Sequence, residues 1–101
     1  MKTVNLKKAL ALLGYEVVQY HKNYNYRSGF MKKDNQLYYF SYEDLRRDPT
    51  LMVRTADETM KDKKGKYNDW HGGTNTYPIN ILNRLGYTIH EPRIKCDFNS
   101  N

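Results

Sequence analysis

The sequence predicts an α+β fold in which an antiparallel sheet of three to five strands has two main helices packed on one face. Two segments show the apolar spacing of a helix and end at a glycine, one near each end of the chain. Between them lie stretches rich in aromatic and β-branched residues, which favour strands. The 101 residues suit one modest core. We therefore expect a single domain over residues 1–96 and a frayed tail over residues 97–101.

The first helix is predicted over residues 5–13. Lys7 and Lys8 lie opposite an apolar face with the spacing i, i+3, i+4 and i+7. The residues of that face are Leu6, Ala9, Leu10 and Leu13. A polar residue at position 3 or 5 can cap the helix, and Gly14 supplies the left-handed residue that ends it.

Three strands are predicted next, over residues 15–22, 24–31 and 36–42. Their aromatic and β-branched residues alternate in part with polar ones. A connection at residues 22–23 joins the first two strands, and residues 32–35 form a tight turn into the third. An antiparallel meander is the simplest arrangement of these strands.

The middle of the chain contains shorter elements. Residues 41–47 start like a helix, but Pro49 limits it to a turn or two. Residues 51–56 predict a short strand. Residues 57–75 lack apolar periodicity and predict a long basic loop, which we expect to be mobile until a partner binds.

A second helix and a last strand complete the predicted fold. Thr76 can cap the helix, and Pro78 fits its first turn. Gly86 ends the helix, and residues 87–94 form a strand at the edge of the sheet, which Pro92 blunts. The predicted buried side of the helix consists of Ile79, Ile81, Leu82 and Leu85.

Positive charge is concentrated at the start of the chain. The net charge is +6, and residues 2–33 carry seven Lys and Arg side chains against one Glu. A second basic cluster spans residues 61–66. Clustered positive charge is typical of proteins that bind polyanions, since each neutralised phosphate releases counterions. A net charge of this size also keeps a small protein soluble, so charge alone leaves both interpretations open.

Tyrosines accompany this charge. Seven of the ten tyrosines lie on or beside the first three predicted strands. Exposed tyrosines next to lysine and arginine can stack bases and hold phosphates. The same residues also suit a protein interface or a partly hydrated core. The predicted nucleic-acid-binding residues are Lys7, Lys8, Tyr20, Lys22, Tyr24, Tyr26, Arg27, Lys32 and Lys33.

The basic loop is a second candidate site. Trp70 offers an aromatic face, and Gly72 and Gly73 allow a backbone to approach a ligand closely. The glycines are not followed by the Gly-Lys-Ser/Thr of a phosphate-binding loop, so an ordinary turn is the alternative. The predicted partner-binding residues are Lys61, Lys63, Lys64, Lys66, Tyr67 and Trp70.

The sequence contains no recognisable catalytic or metal-binding motif. The three histidines lack metal-ligand spacing, Cys96 has no cysteine partner, and there is no nucleophile elbow. We therefore expect no metal, no cofactor, and a binding protein rather than an enzyme. His21 acting with a lysine or arginine in metal-independent RNA cleavage is the catalytic alternative.

Localisation is predicted from two simple features. The longest apolar run, residues 9–13, is too short for a signal-peptide core or a membrane span. A lone cysteine gives no indication of secretion. These features predict a cytoplasmic protein with no membrane role.

The order of helix, Gly-aromatic pair, three strands and a helix ending in Leu-Gly resembles the small HicA-type toxins, whose fold is similar to double-stranded RNA-binding domains. The matching segments are residues 10–15 and, loosely, 73–74 and 81–86. This resemblance implies RNA binding or cleavage. Those toxins place their catalytic histidine after a Gly-Ser pair in the second strand, whereas residues 23–27 here contain no histidine. The short chain rich in Lys, Asn and Tyr also resembles small phage and plasmid proteins, including some that block host defence nucleases.

Three functions are consistent with these features. The first is a nucleic-acid-binding module for RNA or DNA, which acts by stacking and phosphate neutralisation. The second is a protein–protein inhibitor or adaptor that acts on a nuclease complex through Tyr67, Trp70 and the basic loop. The third is a HicA-like ribonuclease. The oligomeric state is left open.

Overall fold

The computed structural model describes residues 1–23, 26–43, 49–68 and 73–92. The predicted α+β class is confirmed, and four strands form an antiparallel sheet in the order β2-β3-β4-β5. The elements are β1 (Lys2–Val4), α1 (Leu6–Leu12), β2 (Glu16–Lys22), β3 (Tyr26–Lys33), β4 (Gln36–Glu43), β5 (Thr50–Thr55), α2 (Ile79–Arg84) and β6 (Tyr87–Ile89).

Helix α1 forms as its sequence predicts. The Asn5 side-chain oxygen accepts a hydrogen bond from the Lys8 backbone amide at 2.8 Å, which satisfies one of the free amides of the first turn. Gly14 follows the helix with φ +96°, a conformation that favours glycine. Leu6 and Leu10 are fully buried. Apolar spacing and end signals therefore agree in this segment.

The hairpin between β3 and β4 is tighter than expected. Asp34 and Asn35 are its two turn residues, and both have positive φ, 52° and 65°. Asp and Asn tolerate this conformation, and the resulting turn matches the twist of the strands. Lys32 and Lys33, assigned to the turn from the sequence, therefore belong to β3.

The sheet has two faces with different cores. On the face covered by α1, here called the helix side, a large apolar cluster combines residues of that helix with the central strands. Its buried members are Leu6, Leu10, Met31, Phe40, Tyr42, Leu51 and Val53. On the opposite face, here called the loop side, a smaller cluster contains Phe30, Leu37 and Ala56, with Tyr39 and Tyr67 packed against it.

Strand β2 changes face part-way along its length. The register with β3 shifts between Val17 and Gln19, which is a β-bulge. Gly29 lies opposite, where a Cβ atom would approach the Gln19 carbonyl oxygen to 2.0 Å. Glycine is therefore required at this point of close approach between the strands.

The last predicted strand is corrected in extent and position. Strand β6 has three residues and pairs in parallel with β1, which the sequence analysis did not predict. It forms a separate two-stranded sheet and is not an edge of the main sheet. Three-residue strands carry too little alternation to be recognised, and their pairing joins distant parts of the chain.

Helix α2 differs from its prediction at its start and on its surface. Thr76 pairs with Val53 at the edge of β5 through backbone hydrogen bonds of 2.9 and 2.7 Å and does not cap the helix. Leu82 is buried, but Ile81 and Leu85 are 53% and 55% exposed. Ile81 lies roughly 200° around the helix from Ile79, so one short helix cannot bury both fully.

Two further predictions fall wholly or partly outside the described residues. Strand β4 extends to Glu43, and the rest of the predicted short helix, residues 44–47, lies outside the described residues. The frayed tail predicted over residues 97–101 also lies outside them.

Candidate nucleic-acid interface

Part of the predicted basic loop forms a small hairpin. Residues 61 and 67 pair as an isolated bridge, and the Asp62 amide donates to the Lys66 carbonyl at 2.8 Å. One Asp62 carboxylate oxygen accepts from the amides of Lys64 and Lys66 at 2.8 and 2.9 Å. Gly65 completes the turn with φ +81°. This segment, here called the basic hairpin (residues 61–67), is held together by polar contacts and needs no apolar core of its own.

The basic hairpin is attached to the loop side of the sheet by Gln19. The Gln19 Nε2 atom donates to the Tyr67 carbonyl at 3.0 Å, and its Oε1 atom accepts from the Tyr67 amide at 3.0 Å. The Tyr67 ring lies 5.7 Å from the Phe30 ring, measured between centroids. The sequence predicted a long exposed loop here, and the structure shows residues 61–67 of it bonded to the sheet.

A shallow cavity of about 250 Å³ lies between the hairpin and the sheet. The rings of Phe30, Tyr39 and Tyr67 form its apolar walls. Polar side chains complete the lining, namely Gln19, His21, Ser28 and Asn68. The volume is smaller than the roughly 300–1,000 Å³ of sites for drug-sized ligands. It suits one flat aromatic group.

Tyr39 contributes a phenol that stays protonated. Burial, followed by the hydrogen bond with Tyr26, raises the pKa of Tyr39 to about 12, while Ser28 and Arg54 act in the opposite direction. The two phenol oxygens of Tyr26 and Tyr39 lie 3.2 Å apart. At neutral pH the Tyr39 phenol is therefore uncharged.

Cations surround the aromatic walls. The Arg54 guanidinium carbon lies 5.6 Å from the centre of the Tyr39 ring, and Lys61 Nζ lies 5.0 Å from that of Tyr67. Lys63, Lys64 and Lys66 are exposed on the basic hairpin, and no described carboxylate forms an ion pair with them. The loop side thus combines aromatic rings with free positive charge.

The structure divides the predicted nucleic-acid-binding residues between the two sides of the sheet. Tyr26 and Lys32 alternate with helix-side positions and lie on the loop side. Lys32 there approaches Glu58, with 3.7 Å between Nζ and the carboxylate. The helix side has Tyr20, Lys22, Arg27 and Lys33 on its strands, with Lys7 and Lys8 on α1. Tyr24 and Trp70 lie outside the described residues.

Two residues of the helix-side group are engaged in packing. The half-buried Tyr20 ring packs near Phe40, with 6.1 Å between centroids, and Lys7 Nζ lies 4.6 Å from its centre. Lys33 Nζ donates to the Leu13 carbonyl at 3.0 Å, where the C-terminal end of α1 favours a cation. Lys7, Lys8 and Lys22 are exposed.

Arg27, predicted to contact phosphate, is buried and has internal partners in the structure. It is 3% exposed, and its Nε atom lies 3.0 Å from the Glu91 carboxylate. Its Nη1 and Nη2 atoms donate to the carbonyls of Asn23 and Pro92 at 3.0 and 2.7 Å. The other Glu91 oxygen accepts from the Leu6 amide at 2.6 Å. Arg27 is therefore unavailable to a ligand.

Sequence reasoning missed several residues of the cavity. Phe30 and Tyr39 were not predicted, although strand alternation and the hairpin turn could have placed them side by side, because they are direct partners across β3 and β4. No signal marked Gln19, since the bulge before it changes the face on which it lies. Asn68 was likewise unmarked within a polar loop.

Comparison of the chain with protein-family models, with curated proteins and with solved structures finds no significant match. The resemblance to HicA-type toxins therefore stays a prediction. Within the described residues, no group of three or more His, Cys, Asp and Glu side chains is arranged to hold a metal ion. No described helix has the length and apolar character needed to cross a membrane.

Proposed function

We propose that the protein binds single-stranded nucleic acid, RNA or DNA, on the loop side of its sheet. The observation that carries the proposal is a cavity walled by three aromatic rings beside a hairpin with four lysines. Base stacking on an aromatic ring contributes about 1–3 kcal/mol per base. Lysines neutralise phosphates and release counterions. The two kinds of group lie next to each other here, as a strand of alternating bases and phosphates requires.

Both helices leave this side open in the proposed arrangement. Leu6 and Leu10 of α1 belong to the helix-side cluster, and Ile79 of α2 packs against it. We infer that α1 and α2 cover the same face. Among the described residues, the basic hairpin and the loop residues beside it then cover the loop side, and a ligand can reach that side without displacing α1 or α2.

An unpaired strand suits the cavity better than a duplex. In a duplex the faces of the bases are stacked on one another and their pairing edges are occupied, whereas single-stranded segments can expose bases to aromatic side chains. Aromatic walls such as those of this cavity can contact the face of an exposed base. A cytoplasmic location, as expected from the sequence, agrees with such a ligand.

Titration of labelled single-stranded RNA and DNA over a range of salt concentrations tests the proposal. Binding is expected at low salt, with log K falling linearly as log salt rises, by about 0.7 for each phosphate neutralised. Tight binding that does not depend on salt, or no binding at low salt, would contradict the proposal. A duplex of the same sequence is the control and is expected to bind more weakly.

A protein partner is the second candidate, because three apolar side chains are exposed on and beside α2. Tyr77, Ile81 and Leu85 are 58%, 53% and 55% exposed and recur every four residues. Apolar patches of this kind are found at interfaces. An Ile81→Lys variant is expected to lose a protein that the wild type recovers from the native host, while its binding of oligonucleotides is unchanged. Recovery of the same protein by both would exclude this surface.

A further inference from the structure

The aromatic rings that the structure describes on the loop side lie in one cluster. Phe30 lies 5.4 Å from Tyr39 and 5.7 Å from Tyr67 between ring centroids, and Tyr26 hydrogen-bonds Tyr39. The other aromatic residues of the described chain lie elsewhere. Those of the helix-side cluster are Tyr15, Tyr20, Tyr38, Phe40 and Tyr42, and Tyr77 and Tyr87 belong to neither cluster.

This distribution determines how many bases the described surface can stack. A platform for successive bases needs a separate exposed ring for each one. The described loop side has a single cluster, and its cavity of about 250 Å³ is closed on the hairpin side by Tyr67. We infer that the cavity holds one unpaired nucleobase, so that this described surface recognises one base together with its adjacent phosphates. This inference rests on the proposed binding of nucleic acid.

The polar lining fits the edge of such a base. Ser28, His21 and Asn68 contribute hydroxyl, imidazole and amide groups beside the three rings. An unpaired base has free donors and acceptors on its pairing edge, and polar side chains at a cavity rim can bond to them.

The lysines beside the cavity can bind the phosphates that adjoin the base. Lys61 lies beside the Tyr67 ring, with 5.0 Å from Nζ to the ring centre. Lys63, Lys64 and Lys66 continue the charge along the exposed hairpin. A base in the cavity therefore has lysines next to its own backbone. A nucleotide within a strand and a free nucleotide share this chemistry.

Oligonucleotides of equal length and charge test the inference. The series is a fully abasic strand, the same strand with one central base, and strands with two or more bases, titrated by fluorescence anisotropy. One base is expected to raise affinity about 5- to 150-fold, since a single stacked base contributes ~1–3 kcal/mol. Further bases are expected to add at most the statistical factor for the number of positions that can fill the cavity.

The outcomes separate the inference from the function on which it rests. If the strand with a base at every position does not bind, the proposed function itself is overturned. Equal binding of abasic and one-base strands, or a large stepwise gain with each added base, would overturn the single-base cavity and leave nucleic-acid binding intact. Nucleoside monophosphates that bind as tightly as the one-base strand would support the cavity and identify free nucleotides as its source of ligand.

A variant series connects the base-dependent gain to the cavity. Tyr67→Ala removes one wall, while the backbone at position 67 keeps its bonds to Gln19. It is expected to reduce binding of the one-base strand to the level of the abasic strand. Tyr67→Phe keeps the ring and the gain, and Tyr77→Ala removes an exposed tyrosine outside the cavity without effect. An undiminished gain in Tyr67→Ala would overturn the assignment, provided that its circular dichroism matches the wild type.

Discussion

The side-chain amide of Gln19 binds both backbone polar groups of Tyr67, as donor to the carbonyl and acceptor from the amide, each at 3.0 Å. A strand neighbour pairs with a peptide group in the same way, so the glutamine replaces one rung of a β-ladder. Together with the packing of the Tyr67 ring against the loop-side cluster, this contact attaches a lysine-rich hairpin to the sheet. The proposed binding surface depends on it.

Replacement of Gln19 by leucine is expected to release the hairpin and leave the fold intact. Two hydrogen bonds are lost, each with a net contribution of about 0.5–1.5 kcal/mol. Hydrogen exchange should show a protected Tyr67 amide in the wild type and fast exchange in the variant. Gln36→Leu is the matched control, because Gln36 also donates to two backbone carbonyls, those of Leu37 and Ala56. Fast exchange at Tyr67 in the unliganded wild type would contradict the attachment.

Loss of the buried ion pair is expected to be costly. Arg27→Met leaves the Glu91 carboxylate, 11% exposed, without its cationic partner. Removing one member of a buried pair costs about 3–5 kcal/mol. Urea denaturation measures the change in the free energy of unfolding, and Lys22→Met on the exposed end of β2 is expected to change it by less than about 0.5 kcal/mol. The double variant Arg27→Met/Glu91→Leu should lose less stability than Arg27→Met alone. Equal losses of unfolding free energy would argue against coupling between Arg27 and Glu91.

Gly29 is expected to tolerate no side chain. A Cβ atom there would lie 2.0 Å from the Gln19 carbonyl oxygen, which belongs to the backbone and cannot move alone. Gly29→Ala should therefore reduce stability by about 3–5 kcal/mol, at the upper end for point substitutions. Gly86→Ala is the comparison, since its Cβ would have open space and only the left-handed backbone is strained, at about 1–2 kcal/mol. Similar thermal midpoints for the two variants would contradict this account of the bulge.

The Tyr39 phenol is expected to produce a distinct step in alkaline titration. Its pKa is raised from 10.0 to about 12 in the folded protein, chiefly by burial. Because the pKa is higher in the folded than in the unfolded protein, the protonated Tyr39 phenol makes its full contribution to folding stability below pH 10.0, the unfolded value. That contribution is lost as the pH rises through about 12. Ultraviolet titration should show a phenolate step near pH 12 that Tyr39→Phe removes and Tyr77→Phe leaves unchanged. A step that persists in Tyr39→Phe would refute this assignment.

The parts of the fold encoded locally could be predicted from the sequence. The first helix follows from its apolar spacing and from end signals at Asn5 and Gly14, all within one short segment. The β3–β4 hairpin follows from alternation around Asp34 and Asn35. These features depend on neighbours in the chain, and the sequence contains the complete information for them.

The parts that depend on distant contacts could not be predicted. Tyr15, Val17 and Tyr20 all pack against the same cluster, which regular alternation forbids and the bulge permits. The sequence around Arg27 predicts an exposed cation, because its partner Glu91 lies far away in the chain and the pairing is visible only in the fold. Residues 57–75 were predicted to be a loop because their sequence has no hydrophobic periodicity. Such periodicity does not reveal the hydrogen bonds by which the Asp62 side chain holds the hairpin turn. The cavity depends on the bulge, which places Gln19 on the loop side, and on the hairpin turn that Asp62 holds.

Two double variants, each of which replaces two lysines, provide the most direct test of the central claim, that the loop side binds single-stranded nucleic acid. Lys63→Gln/Lys64→Gln alters the basic hairpin and Lys7→Gln/Lys8→Gln alters α1, so each removes two positive charges from exposed positions. Affinity for single-stranded RNA is measured against salt. The account predicts that the hairpin pair reduces the slope of log K against log salt by about 1.4, since each phosphate contact contributes about 0.7. The helix pair should leave the slope nearly unchanged. Equal reductions by both pairs, or a larger reduction by the helix pair, would contradict the claim.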